Sequence, residues 1–426
     1  MTSGLHPGIV LLLSLTLFFF LHRRERWPLP LAFLTVAIAA ALVGGFGVPF
    51  RHLVEGGFGF INLVLALFAG AFFGHMMQAS GAAEAAAAMI VRAAGARVLP
   101  VLALSALPIF AVGMFVGVAG VAVLSAGVFA VPALRRLGYQ DATIAAFIAV
   151  MATTGMIAPP MNVPAMLIAD GVNMPWSNLS RSLLALSLPP ALAGLAWFSY
   201  GCGPTRASVS TEGEDASWRK GLLGLLPLAI IVAIWLAVRA FPTVLVDPAS
   251  PLVLVLGALT ALPLVPRAEL GKAVTATFTG TPLFLAAVLV TIGVVIQIMT
   301  LTGVRGWLVV NTMALGAPWN YVSLIVGMPL LGGALSSMSV ADVMGVPVAF
   351  SFIGQDMILN VAALSAIASL SEFVPPTAIA AVLSCYVVGG GTVGQVFRRA
   401  WPPMAVLAAL ALLMLAFARQ LAGILT

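Results

Sequence analysis

Residues 222–238 form an apolar run without a single charge, and residues 11–21 form another. Runs of this kind recur along the chain, many near the roughly 20 residues that cross about 30 Å of hydrocarbon as a helix. Hydrocarbon offers exposed backbone groups no water, so such a chain folds as helices or as a closed barrel. Strict period-two alternation, the mark of a barrel strand, is absent. The chain therefore reads as an all-α polytopic membrane protein, which suits 62% apolar and 8% charged residues.

Into these runs the chain inserts Pro-Pro four times, in two matched couples: Pro159-Pro160 with Pro189-Pro190, and Pro375-Pro376 with Pro402-Pro403. Proline removes a backbone donor and breaks a helix. A membrane chain that breaks its helix at the same place in each half is building a site there. The last pair of each half falls near the start of a span, where proline punctuates. Spans are expected over 6–21, 29–46, 58–79, 142–170 and 181–200, then over 221–240, 250–266, 281–301, 357–387 and 404–424.

Between the third and fourth span of each half lies an apolar stretch interrupted midway by small residues. Residues 99–134 carry Gly117-Val118-Ala119-Gly120, and residues 321–350 carry Gly332-Gly333-Ala334-Leu335-Ser336-Ser337. Each arm is short for a crossing, which predicts one re-entrant hairpin per half. Five crossings per half is odd, so the halves (1–200 and 221–426) are expected to be inverted repeats joined by a polar cytoplasmic linker, 201–220. The basic residues agree: only Arg51, Arg181, Arg239, Arg305 and Arg419 of the 19 Lys and Arg fall on the side opposite the cytoplasm. Both termini are then periplasmic. The same scatter of the +6 net charge over short loops argues against a nucleic-acid partner.

The N-terminal run is read as a retained span, because Arg23, Arg24 and Arg26 follow it instead of preceding it. Residues 81–98, alanine-rich with Glu84, Arg92 and Arg97, are expected in the cytoplasmic interface. Cys202 and Cys385 lie far apart and show no metal-ligand spacing.

The candidate site gathers at the breaks and the tips. A helix opened near mid-membrane exposes carbonyls from its first half, which suit a cation, and N–H groups from its second, which suit a carboxylate. The first break offers Thr153, Thr154, Gly155, Pro159, Pro160 and Asn162; the second offers Ser369, Ser371, Glu372, Pro375, Pro376 and Thr377. At the tips Gly117 and Gly120 allow close backbone approach, while Ser336, Ser337 and Ser339 bring hydroxyls. Asp342 and Glu372 are acids within apolar sequence, each costing about 3 kcal/mol at a helix centre. No neighbouring Lys or Arg suggests a partner for either, so a bound cation is expected. His75 is read as a hydrogen-bonded interface residue. No Ser–His pair, GxGD or HExxH pattern suggests an intramembrane hydrolase, so the chain is not expected to be an enzyme.

The string Pro132-Ala133-Leu134-Arg135-Arg136-Leu137-Gly138-Tyr139, followed by Ile157-Ala158-Pro159-Pro160, resembles the large membrane subunit of TRAP (tripartite ATP-independent periplasmic) transporters. The likeness extends to Ser80-Gly81 and to Pro375-Pro376, and so covers most of the chain. It implies an elevator-type secondary carrier in the bacterial inner membrane, importing a small organic acid such as a C4-dicarboxylate and driven by sodium, or by protons. It implies a small four-helix membrane subunit and a periplasmic solute-binding protein as partners, and no cofactor beyond the coupling ions. Sodium is expected at Thr154, Gly155, Ser371 and Glu372. The chain departs from the family where Gly117-Val118-Ala119-Gly120 replaces a Ser-Gly-Ser-like tip, where Met161 replaces serine, and where Val374 replaces threonine. A single-component carrier without a binding protein and a non-transporting scaffold are the alternatives.

Overall fold

A computed structural model of the chain describes residues 5–425 apart from 96, 204–217, 242, 246–247, 316–318, 353 and 355. Among the described residues every regular element is helical. The first half holds α1 (Pro7–Phe19), α2 (Leu29–Val43), α3 (Phe50–Phe58), α4 (Ile61–Ala79), α5 (Ala82–Ala93), α6 (Val98–Val116), α7 (Ala119–Ser125), α8 (Gly127–Arg136), α9 (Asp141–Ile157), α10 (Val163–Gly171) and α11 (Ser180–Ala196). Next come α12 (Trp218–Ala240), α13 (Ser250–Thr260), α14 (Arg267–Thr277), α15 (Gly280–Leu301), α16 (Val304–Met313) and α17 (Trp319–Val322). The chain ends with α18 (Met328–Leu335), α19 (Ser337–Val340), α20 (Val346–Ser351), α21 (Met357–Ser369), α22 (Ile379–Val388), α23 (Val393–Ala416) and α24 (Ala418–Leu425). Most of the expected linker, 204–217, lies outside the described residues.

Among the described residues seven helices are long and apolar enough to cross a membrane, or up to eight with the bent pair α7 and α8 taken as one. Six of the ten spans expected from sequence are among these, with α6, an expected hairpin arm, as the seventh; the stretch expected at 250–266 gives only the 11 residues of α13. The stretch expected at 29–46 gives only the 15 residues of α2. Breaks shorten four more helices by design. The spans expected at 58–79 and 281–301 are each preceded by a short helix, α3 or α14, that hydropathy does not separate from them.

Local chemistry fixes several boundaries. Gly81 and Gly303 both adopt the left-handed conformation, at φ 72° and 74°, and turn the chain from α4 into α5 and from α15 into α16. Thr392 and Gln395 close a capping box on α23. The arm entering the first tip is longer than expected: α6 runs for 19 residues because it absorbs Pro108 internally. The outgoing arm instead bends by 57° between α7 and α8. In the second hairpin the corresponding arms contain π-helical turns, Ser323–Gly327 and Ala341–Gly345.

Helix α5, expected in the cytoplasmic interface, is buried on one face: Ala82, Ala83, Ala86 and Ala87 pack against α8 and α12, while Glu84 and Arg92 are exposed. Gly221 and Gly224 of α12 make that approach close, since a Cβ at Gly224 would sit 2.6 Å from the Ala82 carbonyl oxygen. One expectation is corrected by packing: Pro189-Pro190 and Pro402-Pro403 do not punctuate span starts. Both pairs lie inside continuous helices, α11 and α23, which pack on one another. The two halves of the sequence interleave throughout: α15 packs on α2 and α3, α13 on α4, and α22 on α9.

Candidate functional site

The first break follows α9, where Ala158 leaves the helical region and the Pro159-Pro160 peptide is cis. Chain direction is recovered at Asn162, whose Oδ1 accepts from the Ala165 N–H at 2.9 Å and caps α10. Its amide nitrogen donates to the Ile157 carbonyl at 3.1 Å and to Ser365 Oγ at 3.2 Å, tying both sides of the break to α21. The tip between α6 and α7 docks against this break. Gly117 adopts φ 71°, and the Met161 N–H donates to the Met114 carbonyl at 3.2 Å. Any side chain at Gly117 would collide with the Met161 carbonyl oxygen, 2.6 Å from the position of a Cβ.

The second break repeats these contacts. Pro375-Pro376 is also cis, and the Thr377 N–H donates to the Gly333 carbonyl at 2.9 Å, three residues before the left-handed tip residue Ser336. Thr377 Oγ1 donates to the same carbonyl at 2.8 Å. Ser336 holds φ 101° without being glycine, a strained position at the tip. Its hydroxyl lies 2.8 Å from that of Ser339 and accepts from the Ser339 N–H.

Charge separates the two breaks. Glu372 is buried, 4% exposed, and has no counterpart at the first break. One carboxylate oxygen accepts from Ser337 Oγ at 2.5 Å; the other accepts from the Ala380 N–H at 3.0 Å, at the start of α22. The chain's own carboxylate thus occupies the half-helix terminus that would otherwise attract an external anion. Among the described residues no Lys or Arg pairs with it. The adjoining Ser371 hydroxyl is buried against Gly332 and has no hydrogen-bond partner among the described residues. An all-oxygen set of carboxylate and hydroxyls suits a hard cation.

Both tips border one cavity. Val118 and Gly120 of the first tip, Ser336 and Ser337 of the second, and Glu372 line this small space beside α4 and α15, which has room for about one water molecule. Not every expected ligand faces it. Thr154 Oγ1 donates to the Val150 carbonyl at 2.9 Å and Ser369 Oγ to the Ser365 carbonyl at 2.8 Å, the usual back-bonding of helical hydroxyls. Gly155 packs on Phe110 and Gly113 of α6, while Ser371 packs on α18, so these two belong to different hairpins. Thr153 is buried, its hydroxyl without a partner among the described residues.

Asp342 is corrected more firmly. Arg305 of α16 donates to its carboxylate at 3.0 Å and to its carbonyl at 2.7 Å, a partner that sequence distance concealed. The pair is partly exposed, at 24% and 40%, and such pairs contribute about 0.2–1 kcal/mol. Asp342→Asn is therefore expected to lower the unfolding midpoint of detergent-solubilised protein by a few degrees at most.

Other residues had no sequence signal. Ser365 enters through Asn162, although nothing near it marks a site. His75 bridges Thr277 Oγ1 at 3.2 Å and Tyr386 OH at 3.1 Å beside a polar cavity, and so is hydrogen-bonded through both ring nitrogens. Arg239, at the end of α12, reaches Met161 Sδ at 3.1 Å and lies 5.6 Å from the Trp176 ring centroid. No protein-family model matches the chain, and no curated protein matches it.

Proposed function

We propose that the chain is a secondary-active carrier of small organic acids, coupled to sodium, built as two inverted repeats of five spans with one hairpin and one broken helix each. The observation that carries this reading is the matched pair of tip-to-break hydrogen bonds, Met161 to Met114 and Thr377 to Gly333. Each joins the residue after a Pro-Pro pair to the carbonyl three residues before a left-handed tip residue. Two helix breaks of the same construction on helices that otherwise pack tightly are what a carrier site at mid-membrane needs. The paired glycines Gly81 and Gly303, and the paired unbroken prolines of α11 and α23, support the same repeat.

In this reading the hairpins and the broken helices move together as an elevator, and the substrate lies near the tips. Glu372 and Ser371 hold the coupling cation, with Ser337 as a further oxygen donor. The chain sits in a bacterial inner membrane with both termini periplasmic. It works with a small four-helix membrane subunit and a periplasmic binding protein, as the motif string shared with TRAP transporters suggests. The direct test is uptake of radiolabelled carboxylates into proteoliposomes containing the chain and both partners. An inward sodium gradient is expected to drive accumulation above equilibrium. If neither sodium nor proton gradients drive uptake of any carboxylate, the carrier reading fails.

A further inference from the structure

The two breaks share a shape but differ in the charge brought to them, and that difference assigns the substrate's orientation. At the second break the half-helix terminus is already occupied by Glu372, so an anion approaching it meets a negative charge. At the first break the corresponding terminus carries only the neutral Asn162 amide. Arg239 brings a cation there. Its helix is seated on the incoming hairpin arm by Trp235, stacked on Phe115 with ring centroids 5.3 Å apart. One turn further on, the guanidinium lies by the Trp176 ring and against Met161, the residue that follows the Pro-Pro pair and is bonded to the tip.

No acid among the described residues forms an ion pair with Arg239, although the guanidinium's five donors are shaped for a carboxylate. Both Pro-Pro pairs are reachable, Pro159 and Pro160 being half-buried and Pro375 exposed; the charged groups differ, Arg239 being exposed beside the first break and Glu372 buried at the second. A ring beside the cation and a thioether against it restrict the guanidinium's freedom, which lowers the entropy lost on gripping an anion.

We infer that the first break is the anion-binding half of the carrier, with Arg239 the residue that takes a carboxylate of the transported acid. This rests on the carrier reading above. The cation and the substrate then occupy different breaks, so the bound pair is opposite in sign to the protein groups that hold it at each end.

The test is uptake kinetics for acetate, lactate, succinate and citrate in proteoliposomes with both partners present. Wild-type protein is compared with Arg239→Gln, Arg239→Lys and Trp176→Phe. For whichever acid is transported, Arg239→Gln is expected to raise KM about tenfold or more with little change in maximal rate. Arg239→Lys, which keeps the charge without the fork, is expected to fall between. Should Arg239→Gln be recovered poorly, the Arg239→Lys shift and the loss of thermal stabilisation by the same acid in detergent decide the point. An unchanged KM in Arg239→Gln makes Arg239 an interfacial anchor and overturns the assignment, while leaving the carrier reading intact. Absence of uptake by the wild type under every gradient overturns both.

Discussion

On the proposed carrier reading, Glu372→Gln is expected to abolish gradient-driven accumulation while leaving the protein folded. Glutamine keeps the shape of the side chain and can still accept from the Ala380 N–H, while the rotatable Ser337 hydroxyl can turn to receive its amide donor. What is lost is the negative charge of a buried oxygen set that lacks a basic partner among the described residues. A hydrogen bond or ligand contact to a charged group contributes about 1.5–3 kcal/mol, so the apparent ion affinity should fall up to roughly a hundredfold. The measurement is initial uptake as a function of sodium concentration in proteoliposomes, with circular dichroism as the check on folding. A variant whose ion dependence matches the wild type removes Glu372 from the coupling site. Glu372→Ala is a harsher change, because it leaves the Ala380 N–H without its acceptor in a dry site, at about 1–3 kcal/mol in stability.

The second large effect is structural. A Cβ on Gly155 would lie 2.6 Å from the Phe110 carbonyl oxygen and 2.9 Å from its Cα. Backbone atoms cannot turn away as a flexible side chain can, so α9 and α6 would have to separate just before the break. Overpacking of this kind costs about 1–3 kcal/mol. Gly155→Ala is thus expected to lower the unfolding midpoint of purified protein clearly, and Gly155→Val to prevent recovery of monodisperse protein. Gly271→Ala and Gly306→Ala are the controls: both positions are in helices with open space at the Cβ position, so stability should hold or rise by about 0.5–1 kcal/mol. A Gly155→Ala variant as stable as these would mean that α6 and α9 are less tightly joined than their geometry requires. The same contact gives Gly155, read from sequence as a cation ligand, a packing role: it lets two helices touch.

The sequence made the helical membrane class readable because charge-free runs have few other ways to satisfy their backbone. It also located both breaks and both tips, since proline and glycine act on the backbone of their own segment. Hydroxyl orientation was not readable in this way. Thr153 and Thr154 are neighbours, yet Thr154 is bonded to its own helix while Thr153 has no partner among the described residues, a difference set by side-chain rotation and by what packs alongside. Partners distant in sequence were equally hidden. Arg305 reaches Asp342, and Arg239 reaches Met161, only through tertiary packing. Pro189-Pro190 and Pro402-Pro403 misled for a related reason. The helices around them stay continuous because each is supported by a neighbour, and neighbours are not written in local sequence.

The interleaving of the halves bears on how such a chain can be made. When the ribosome has released residues up to α11, the helices α4 and α5 have been inserted but the helices that cover them, α13 and α12, do not yet exist. Nor does α22, which packs on α9. A product ending there is half of the sequence but not a folding unit. Its packing faces must remain covered by lipid or by insertion factors until translation supplies their partners, so truncated chains are natural targets for membrane proteases.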